Sequence, residues 1–196
     1  MAISLRASFS PSCVSPQSPG RLCKYTGQSV RALPVRFLTV GKKRLSGVQL
    51  LVDEYIEKLR CYCAVEDVQV RSNPKNARSD VKAQIEDEDM AVMSLIRSDD
   101  WVVMLDEHGL DIRSEEMAEL VGDAGNTGAS RLSFCIGGPY GHGRLLRERA
   151  NISIKLSSLV LNHQIALVVL IEQLYSDVGQ EARPWEDPCW RILKWN

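Results

Sequence analysis

A glycine-rich segment, GGPYG at 137–141, follows the apolar run Arg131–Ile136, which has the composition of a buried strand. Two adjacent glycines let a ligand approach the backbone closely, and Pro139 stiffens the turn that they enter. The chemistry that such a loop supports is the binding of a small molecule through backbone N–H and C=O groups. The same composition also suits a plain turn between a strand and a helix, and the loop alone favours neither interpretation.

Two further segments follow apolar runs in the same way, namely 106–109 (DEHG) and 157–162 (SSLVLN). In an open sheet of parallel strands, ligands bind beyond the carboxyl ends of the strands. The three segments are therefore the places where we expect a ligand to be bound, and 137–141 is the most informative of them.

Other catalytic patterns are absent from the sequence. It contains no GxGxxG fingerprint, no GxxxxGK[ST] phosphate loop and no GxSxG nucleophile turn. The histidines are too few and too scattered to predict a metal centre: His108, which we expect on the surface, His142 and His163. Because His163 stands where a helix is expected to begin, a structural role is the favoured interpretation. Catalysis is the alternative, since a helix N-terminus favours the neutral imidazole.

The cysteines and the apolar runs argue against two further classes of site. The cysteines form no CxxC pair, so free thiols are expected rather than a zinc site or a disulfide framework: Cys13, Cys23, Cys61, Cys63, Cys135 and Cys189. The longest purely apolar run, 165–171, is far shorter than the ~18 residues that span a bilayer. We therefore predict neither a metal nor a membrane as partner.

The first 34 residues differ in composition from the rest of the chain. They are rich in serine and proline, no acidic residue precedes Asp53, and their basic residues are Arg6, Arg21, Lys24 and Arg31. A basic, serine-rich and acid-free segment is typical of an organelle transit peptide. The serine and proline content favours the chloroplast, with the mitochondrion as the alternative. A disordered tail without a targeting function is the other interpretation.

The net charge limits the kind of partner that the remaining chain binds. Without residues 1–34, it holds 20 basic and 25 acidic side chains, a net charge of about −5. Proteins that bind free nucleic acid gain affinity mainly by neutralising phosphates, which requires an excess of basic side chains. An RNA partner would therefore have to meet a local basic patch, or bring a binding surface of its own.

Five strand-like segments alternate with five helix-like segments along the chain. Strands are expected at 36–41, 65–70, 101–105, 131–136 and 152–156. Helices are expected from Ser46 to Leu59, from Ser79 or Asp80 to about Arg97, from Ser114 to a glycine-rich loop at 122–128, over 143–150, and over 163–175. Between the strands at 101–105 and the helix at Ser114, 106–109 is expected to form a turn. This alternation predicts an α/β fold, with a mostly parallel sheet and helices on both faces.

Three details of the helices depend on their side chains. Ser46 and Asn162 are expected to cap the first and last helices. The acidic residues at 86–89 are expected to form a solvated face of the second helix. The last helix, HQIALVVLIEQLY at 163–175, is apolar nearly all round and must be buried on all sides. A homodimer interface and a core helix are the two explanations for it.

Four segments together resemble a known family of enzymes. They are FLTVGK at 37–42, VVMLDEHG at 102–109, FCIGGPYG at 134–141 and KLSSLVLNHQIALVVLIEQLY at 155–175. In order and spacing they are similar to SPOUT-class methyltransferases that modify N3 of a pseudouridine in large-subunit ribosomal RNA. The resemblance covers about 36–175. It implies a SPOUT α/β fold with a C-terminal trefoil knot, S-adenosylmethionine as cofactor, an obligate homodimer, and the large ribosomal subunit as partner.

The resemblance also implies which residues contact the cofactor. Their backbone groups would hydrogen-bond the adenine and ribose, and the glycines would make room: Leu105, Gly137, Gly138, Leu156, Ser157, Ser158, Leu159, Val160 and Leu161. No catalytic residue is assigned. Recognition of an assembled ribosomal subunit would agree with the acidic net charge, because that substrate supplies much of the contact surface.

The end of the chain departs from the family. The family continues EQLY with an arginine and closes on Tyr-His, whereas Ser176 stands at the arginine position and 177–196 holds no Tyr-His. The missing groups are those expected to orient the target base, so the alternative function is a form that binds cofactor or ribosome without turnover. Alternative splicing or a misplaced exon boundary would explain the tail. The sequence thus divides into a transit segment (1–34), a methyltransferase domain (35–176) and a divergent tail (177–196).

Overall fold

The computed structural model describes residues 32–71 and 80–182, with side chains described as far as Ser176. Most of the predicted transit segment and the tail beyond Ala182 lie outside the described residues. The strands are β1 (Val35–Val40), β2 (Val65–Val70), β3 (Asp100–Asp111), β4 (Arg131–Ile136) and β5 (Ile152–Lys155). The helices are α1 (Ser46–Arg60), α2 (Val81–Met93), α3 (Ser114–Asn126), α4 (Arg144–Arg149) and α5 (His163–Ala182).

The five strands form one sheet in the order β2-β1-β4-β3-β5, and every neighbouring pair is parallel. Alternate side chains of each strand point to opposite faces, so the sheet has two cores. Phe37 and Phe134 stack on the face covered by α1, α3 and α5, while Leu38 and Cys135 face α2 and α4. The prediction of a mostly parallel sheet with helices on both faces is confirmed.

The segment 106–109 does not form the predicted turn, because β3 continues through it to Asp111. Leu105 and Leu110 both lie opposite Ile154 of β5, so the four residues between them form a bulge. The residues beyond the bulge pair with β5 again, which keeps the chain extended where the local sequence favours reversal.

The starts of three helices test the predicted caps. Asp80 caps α2, since its Oδ1 accepts the N–H of Lys82 at 2.9 Å. Asn162 caps α5, since its Oδ1 accepts the N–H of Gln164 at 2.9 Å. Both predictions are confirmed. Ser46 is not a cap: α1 already includes it, and Leu45 occupies the cap position without a side-chain bond.

Helix ends were predicted less well than helix starts. α2 ends at Met93 and not near Arg97, while α3 runs through Gly122 and Gly125 to Asn126. α5 continues beyond Tyr175 to Ala182. Over the described residues, no helix combines the length and apolar character that crossing a membrane requires.

The acidic residues at 86–89 do not form a solvated face, because Glu88 and Asp89 are buried. The two oxygens of Asp89 accept the N–H groups of Leu145 (2.7 Å) and Leu146 (3.0 Å) at the start of α4. Two acids of α2 therefore point inward, and one of them fixes the short helix that follows the glycine-rich loop.

Candidate functional site

A cavity of about 600 Å³ lies at the carboxyl end of the sheet, where the segments after β3, β4 and β5 meet. Eight of the nine cofactor residues implied by the resemblance line it: Leu105, Gly137, Gly138, Leu156, Ser157, Leu159, Val160 and Leu161. Ser158 is not among the lining residues. The three segments that the sequence singled out after apolar runs thus contribute to one cavity, as expected for ligand sites in parallel sheets.

The glycine-rich segment folds back on itself at the floor of the cavity. The N–H of Gly141 donates to the carbonyl of Gly138 at 3.1 Å. Gly141 has φ +79°, which favours glycine, and a Cβ on Gly137 would lie 3.0 Å from the Gly141 carbonyl group. The segment therefore presents bare backbone to the cavity, which a ligand can approach closely.

His142 joins this segment to the end of β3. Its Nε2 lies 2.8 Å from the carbonyl oxygen of Leu105, and burial lowers the pKa of the imidazole. The ring is therefore neutral at pH 7, and we assign the proton to Nε2 because the carbonyl can only accept. This role of His142 is not predictable from local patterns, since its partner is 37 residues away in the chain.

Asp106 and Arg147 form an ion pair at the wall of the cavity. The Nη2 of Arg147 lies 2.6 Å from Oδ2 of Asp106, and its Nε donates to the carbonyl of His142 at 3.2 Å. Burial raises the pKa of Asp106, but the His108 N–H bond and the Arg147 charge outweigh it and hold the pKa below its usual value. This ion pair links the β3 bulge to α4. No local pattern in the sequence predicts it.

The other two histidines also lie at the cavity. The His108 side chain is 82% exposed, as expected for a surface residue. His163 is the first residue of α5, and its Nε2 is buried without a hydrogen-bond partner, next to Gly41. Burial, followed by the charge of Arg44, lowers the pKa of His163, so this imidazole is neutral at pH 7.

The segment between β5 and α5 forms the open wall of the cavity. Leu159 and Val160 are 74% and 84% exposed, and the Oγ of Ser157 accepts the N–H of Leu159 at 3.0 Å. Apolar side chains beside backbone N–H and C=O groups suit the binding of a flat heterocycle with a polar edge. Among residues 32–71 and 80–182, no cluster of His, Cys, Asp and Glu could hold a metal ion.

Comparison with known proteins identifies the family. Residues 33–178 match a family described as "Predicted SPOUT methyltransferase". A protein of Arabidopsis thaliana named "Putative RNA methyltransferase" is 69% identical over 86% of both chains. The ribosomal RNA large subunit methyltransferase H of Christiangramia forsetii is 32% identical over 73% of this chain and 91% of its own.

A solved structure of a "Probable Methyltransferase" from Bordetella pertussis covers 74% of this chain and 93% of its own, with 16% identity and a TM-score of 0.47. That likeness is too distant to support an assignment, which depends on the family match over residues 33–178 and on the Arabidopsis protein that matches 86% of the chain. This chain belongs to the SPOUT methyltransferase family.

Proposed function

We propose that this protein is an S-adenosylmethionine-dependent methyltransferase that modifies N3 of a pseudouridine in large-subunit ribosomal RNA. The observation that carries the proposal is the single cavity formed by the loops after β3, β4 and β5, which eight of the nine implied cofactor residues line. Relatives at about one third identity that are named ribosomal RNA large subunit methyltransferase H support the choice of substrate.

The residues of this chain would act mainly by binding and orientation. The bound cofactor supplies an electrophilic methyl group on a sulfonium sulfur. Backbone groups at Leu105, Gly137 and 156–161 would fix the adenosine, while the pair formed by Asp106 and Arg147 holds the walls of the cavity together. Such alignment of two reactants can supply roughly 7–11 kcal/mol of the barrier reduction. The catalytic residues remain unassigned.

The trefoil knot and the homodimer are parts of the same proposal. The parallel strand order β2-β1-β4-β3-β5 is compatible with the knot and supports it. Exposed apolar side chains at the starts of α1 and α5 support the dimer: Leu45, Leu50, Leu51, Leu159, Val160 and Ile165. The starts of the two helices are in contact, since the Leu45 N–H donates to Gln164 of α5 at 3.1 Å. The helix α5 buries one face in the core and leaves Ile165 exposed for a partner.

The dimer is tested by light scattering on the protein and two variants. Leu45→Asp places a charge within the apolar patch and should convert the dimer to a monomer. Met90→Asp is the matched control, because Met90 is 55% exposed on α2, away from the patch, and should leave the dimer intact. A monomeric wild-type protein would contradict this part of the proposal.

Basic side chains near the cavity support RNA as the partner. Arg147 and Lys155 line the cavity, and Arg144 on the same short helix is 82% exposed. These side chains would meet a phosphate backbone in competition with the carboxylates that each of them faces at 2.6–3.7 Å. The rest of the contact surface would come from the assembled large subunit.

Import into the chloroplast, with the mitochondrion as alternative, completes the proposal. It rests on the basic, serine-rich and acid-free residues 1–34. A fluorescent protein fused behind these residues should enter chloroplasts in plant cells. A signal confined to mitochondria would favour the alternative, and one that stays diffuse would contradict the targeting.

The second candidate function is a form that binds cofactor or ribosome without turnover. Ser176, at the position of the family's arginine, is buried, and its Oγ donates to Glu172 at 3.1 Å. A serine at this position has no positive charge with which to orient the target base. The chain would then bind the cofactor or the ribosome but would not transfer the methyl group.

The two functions are distinguished by calorimetry and by transfer of a labelled methyl group to purified ribosomal subunits. The full chain is compared with a version that continues Tyr175 into the arginine and Tyr-His ending of the family. We expect both to bind S-adenosylmethionine. Labelling of large subunits by both forms would support the active enzyme, and labelling by the replaced form alone would support the impaired one. Absence of binding by either form would refute the cofactor assignment.

A further inference from the structure

Three acidic side chains are buried around the glycine-rich segment, and they differ in how many hydrogen bonds or ion pairs their oxygens form. Asp106 is paired with Arg147, and Asp89 accepts two N–H groups at the start of α4. Glu88, which is only 5% exposed, uses one oxygen: its Oε1 accepts the amide of Gln84 at 2.8 Å. Within the described part of the chain, its Oε2 is buried and has no hydrogen-bond partner.

The free oxygen of Glu88 lies directly behind the floor of the cavity. A Cβ on Gly138 would be 3.2 Å from this oxygen and 3.4 Å from a methyl group of Val40. Gly138 is also one of the residues that line the cavity. One glycine residue therefore separates the free oxygen from any ligand that the cavity holds, and the surroundings on the Val40 side are apolar.

A buried carboxylate with only one oxygen in a hydrogen bond raises the free energy of the folded protein, unless a positive charge nearby compensates it. A charge buried in this way also acts over several ångströms with little screening by solvent. A negative charge on Glu88 would act on the cavity without a matched partner, whereas Asp106 is paired with Arg147 and both oxygens of Asp89 accept backbone N–H groups.

We propose that Glu88 is a specificity-determining residue that favours the positively charged cofactor over its neutral product. This inference rests on the proposed function. During transfer the sulfur–methyl bond breaks and the base nitrogen–methyl bond forms. The electron pair of the broken bond stays on sulfur, and the N3 proton leaves to solvent. The sulfonium becomes an uncharged thioether, so the attraction to Glu88 ends with the reaction and the product is released more easily.

The test compares two ligands that differ in this charge, S-adenosylmethionine and S-adenosylhomocysteine, by calorimetry on the full chain. Glu88→Gln keeps the shape of the side chain and its contact with Gln84. We expect it to weaken S-adenosylmethionine binding about tenfold and to leave S-adenosylhomocysteine within about twofold. Glu86→Gln is the matched control, since Glu86 is exposed on the same helix, and it should change neither affinity.

An equal loss of affinity for both ligands would show a purely structural role for Glu88 and overturn the inference, as would no change for either. If Glu88→Gln does not fold, Glu88→Asp keeps the charge and must keep the preference for the sulfonium ligand; loss of that preference would also overturn it. Failure of the wild-type protein to bind either ligand would refute the proposed function instead.

Discussion

Gly109, in the bulge of β3, packs closely against the backbone of β5, and replacing it with alanine tests that geometry. A Cβ at this position would lie 2.5–2.7 Å from three backbone atoms of Ile154. Ordinary contacts between carbon atoms are about 3.5–4.0 Å, so β5 would have to move by roughly 1 Å. Because Ile154 lies opposite both Leu105 and Leu110, such a movement strains the pairing of β5 on both sides of the bulge.

The size of the effect follows from these contacts. Forcing an atom into a packed site costs about 1–3 kcal/mol, and a weakened strand hydrogen bond adds about 1 kcal/mol. We therefore expect Gly109→Ala to lower the free energy of unfolding by about 3 kcal/mol. Without the clash, the substitution would raise the free energy of unfolding, since alanine is favoured over glycine in regular structure by roughly 0.5–1 kcal/mol.

The assay is urea unfolding followed by tryptophan fluorescence, with S-adenosylmethionine binding measured on the folded variant. Gly47→Ala in α1 is the matched control, because among the described residues no heavy atom beyond its neighbours and its own helix backbone lies within 4 Å of the added Cβ. The control should be as stable as the wild-type protein or more so. If Gly109→Ala is as stable as Gly47→Ala, the close packing of the β3 bulge against β5 is not as described and the reasoning is refuted.

Three further predictions concern side chains around the cavity. Asp89→Ala removes the cap of α4 and should lower the free energy of unfolding by about 1–2 kcal/mol in urea titrations; an unchanged midpoint would contradict this. The pKa of Asp106 is held down by the His108 N–H bond and by Arg147. The stability that ionised Asp106 contributes is therefore fully present above its unfolded pKa of about 4 and is lost as pH falls through its lower folded pKa, so Asp106→Asn should destabilise the protein at pH 7 and progressively less in acid. The pKa of His142 is lowered by burial, so the unfolded chain binds the proton first and stability declines as pH falls below about 6.5. His142→Gln should reduce this slope in unfolding measured across pH, and an unaltered slope would assign it to other groups.

Hydrophobic periodicity and capping residues predict the strands and helix starts that depend on neighbouring residues in the chain. Arg131–Ile136 and Val65–Val70 form strands at the predicted residues, because apolar or alternating residues are bounded by turn-forming ones. The helix starts at Asp80 and Asn162 were also predicted, since a cap is a local interaction. The resemblance to the family pointed to residues that line one cavity, which no pattern of spacing could have done.

The errors arose where distant parts of the chain meet. Asp89 was expected in solvent, but its partners at the start of α4 lie more than 50 residues away in sequence. The segment 106–109 has the composition of a turn, but pairing with β5 on both sides of it turned it into a bulge. α3 continues through Gly122 and Gly125, both buried, although glycine favours a helix end. Tertiary contacts overrode the local preference in each case.

The central claim is the transfer of a methyl group to a pseudouridine. The most direct measurement incubates the protein with labelled S-adenosylmethionine and large ribosomal subunits that lack the modification, digests the RNA to nucleosides, and identifies the labelled nucleoside by mass spectrometry. We predict that the label is found in pseudouridine methylated at N3, and that small subunits stay unlabelled. Label in another nucleoside, or on a ribose, would contradict the proposed substrate. No label from either the wild-type chain or the form with the family ending, despite cofactor binding, would contradict the assignment of this reaction.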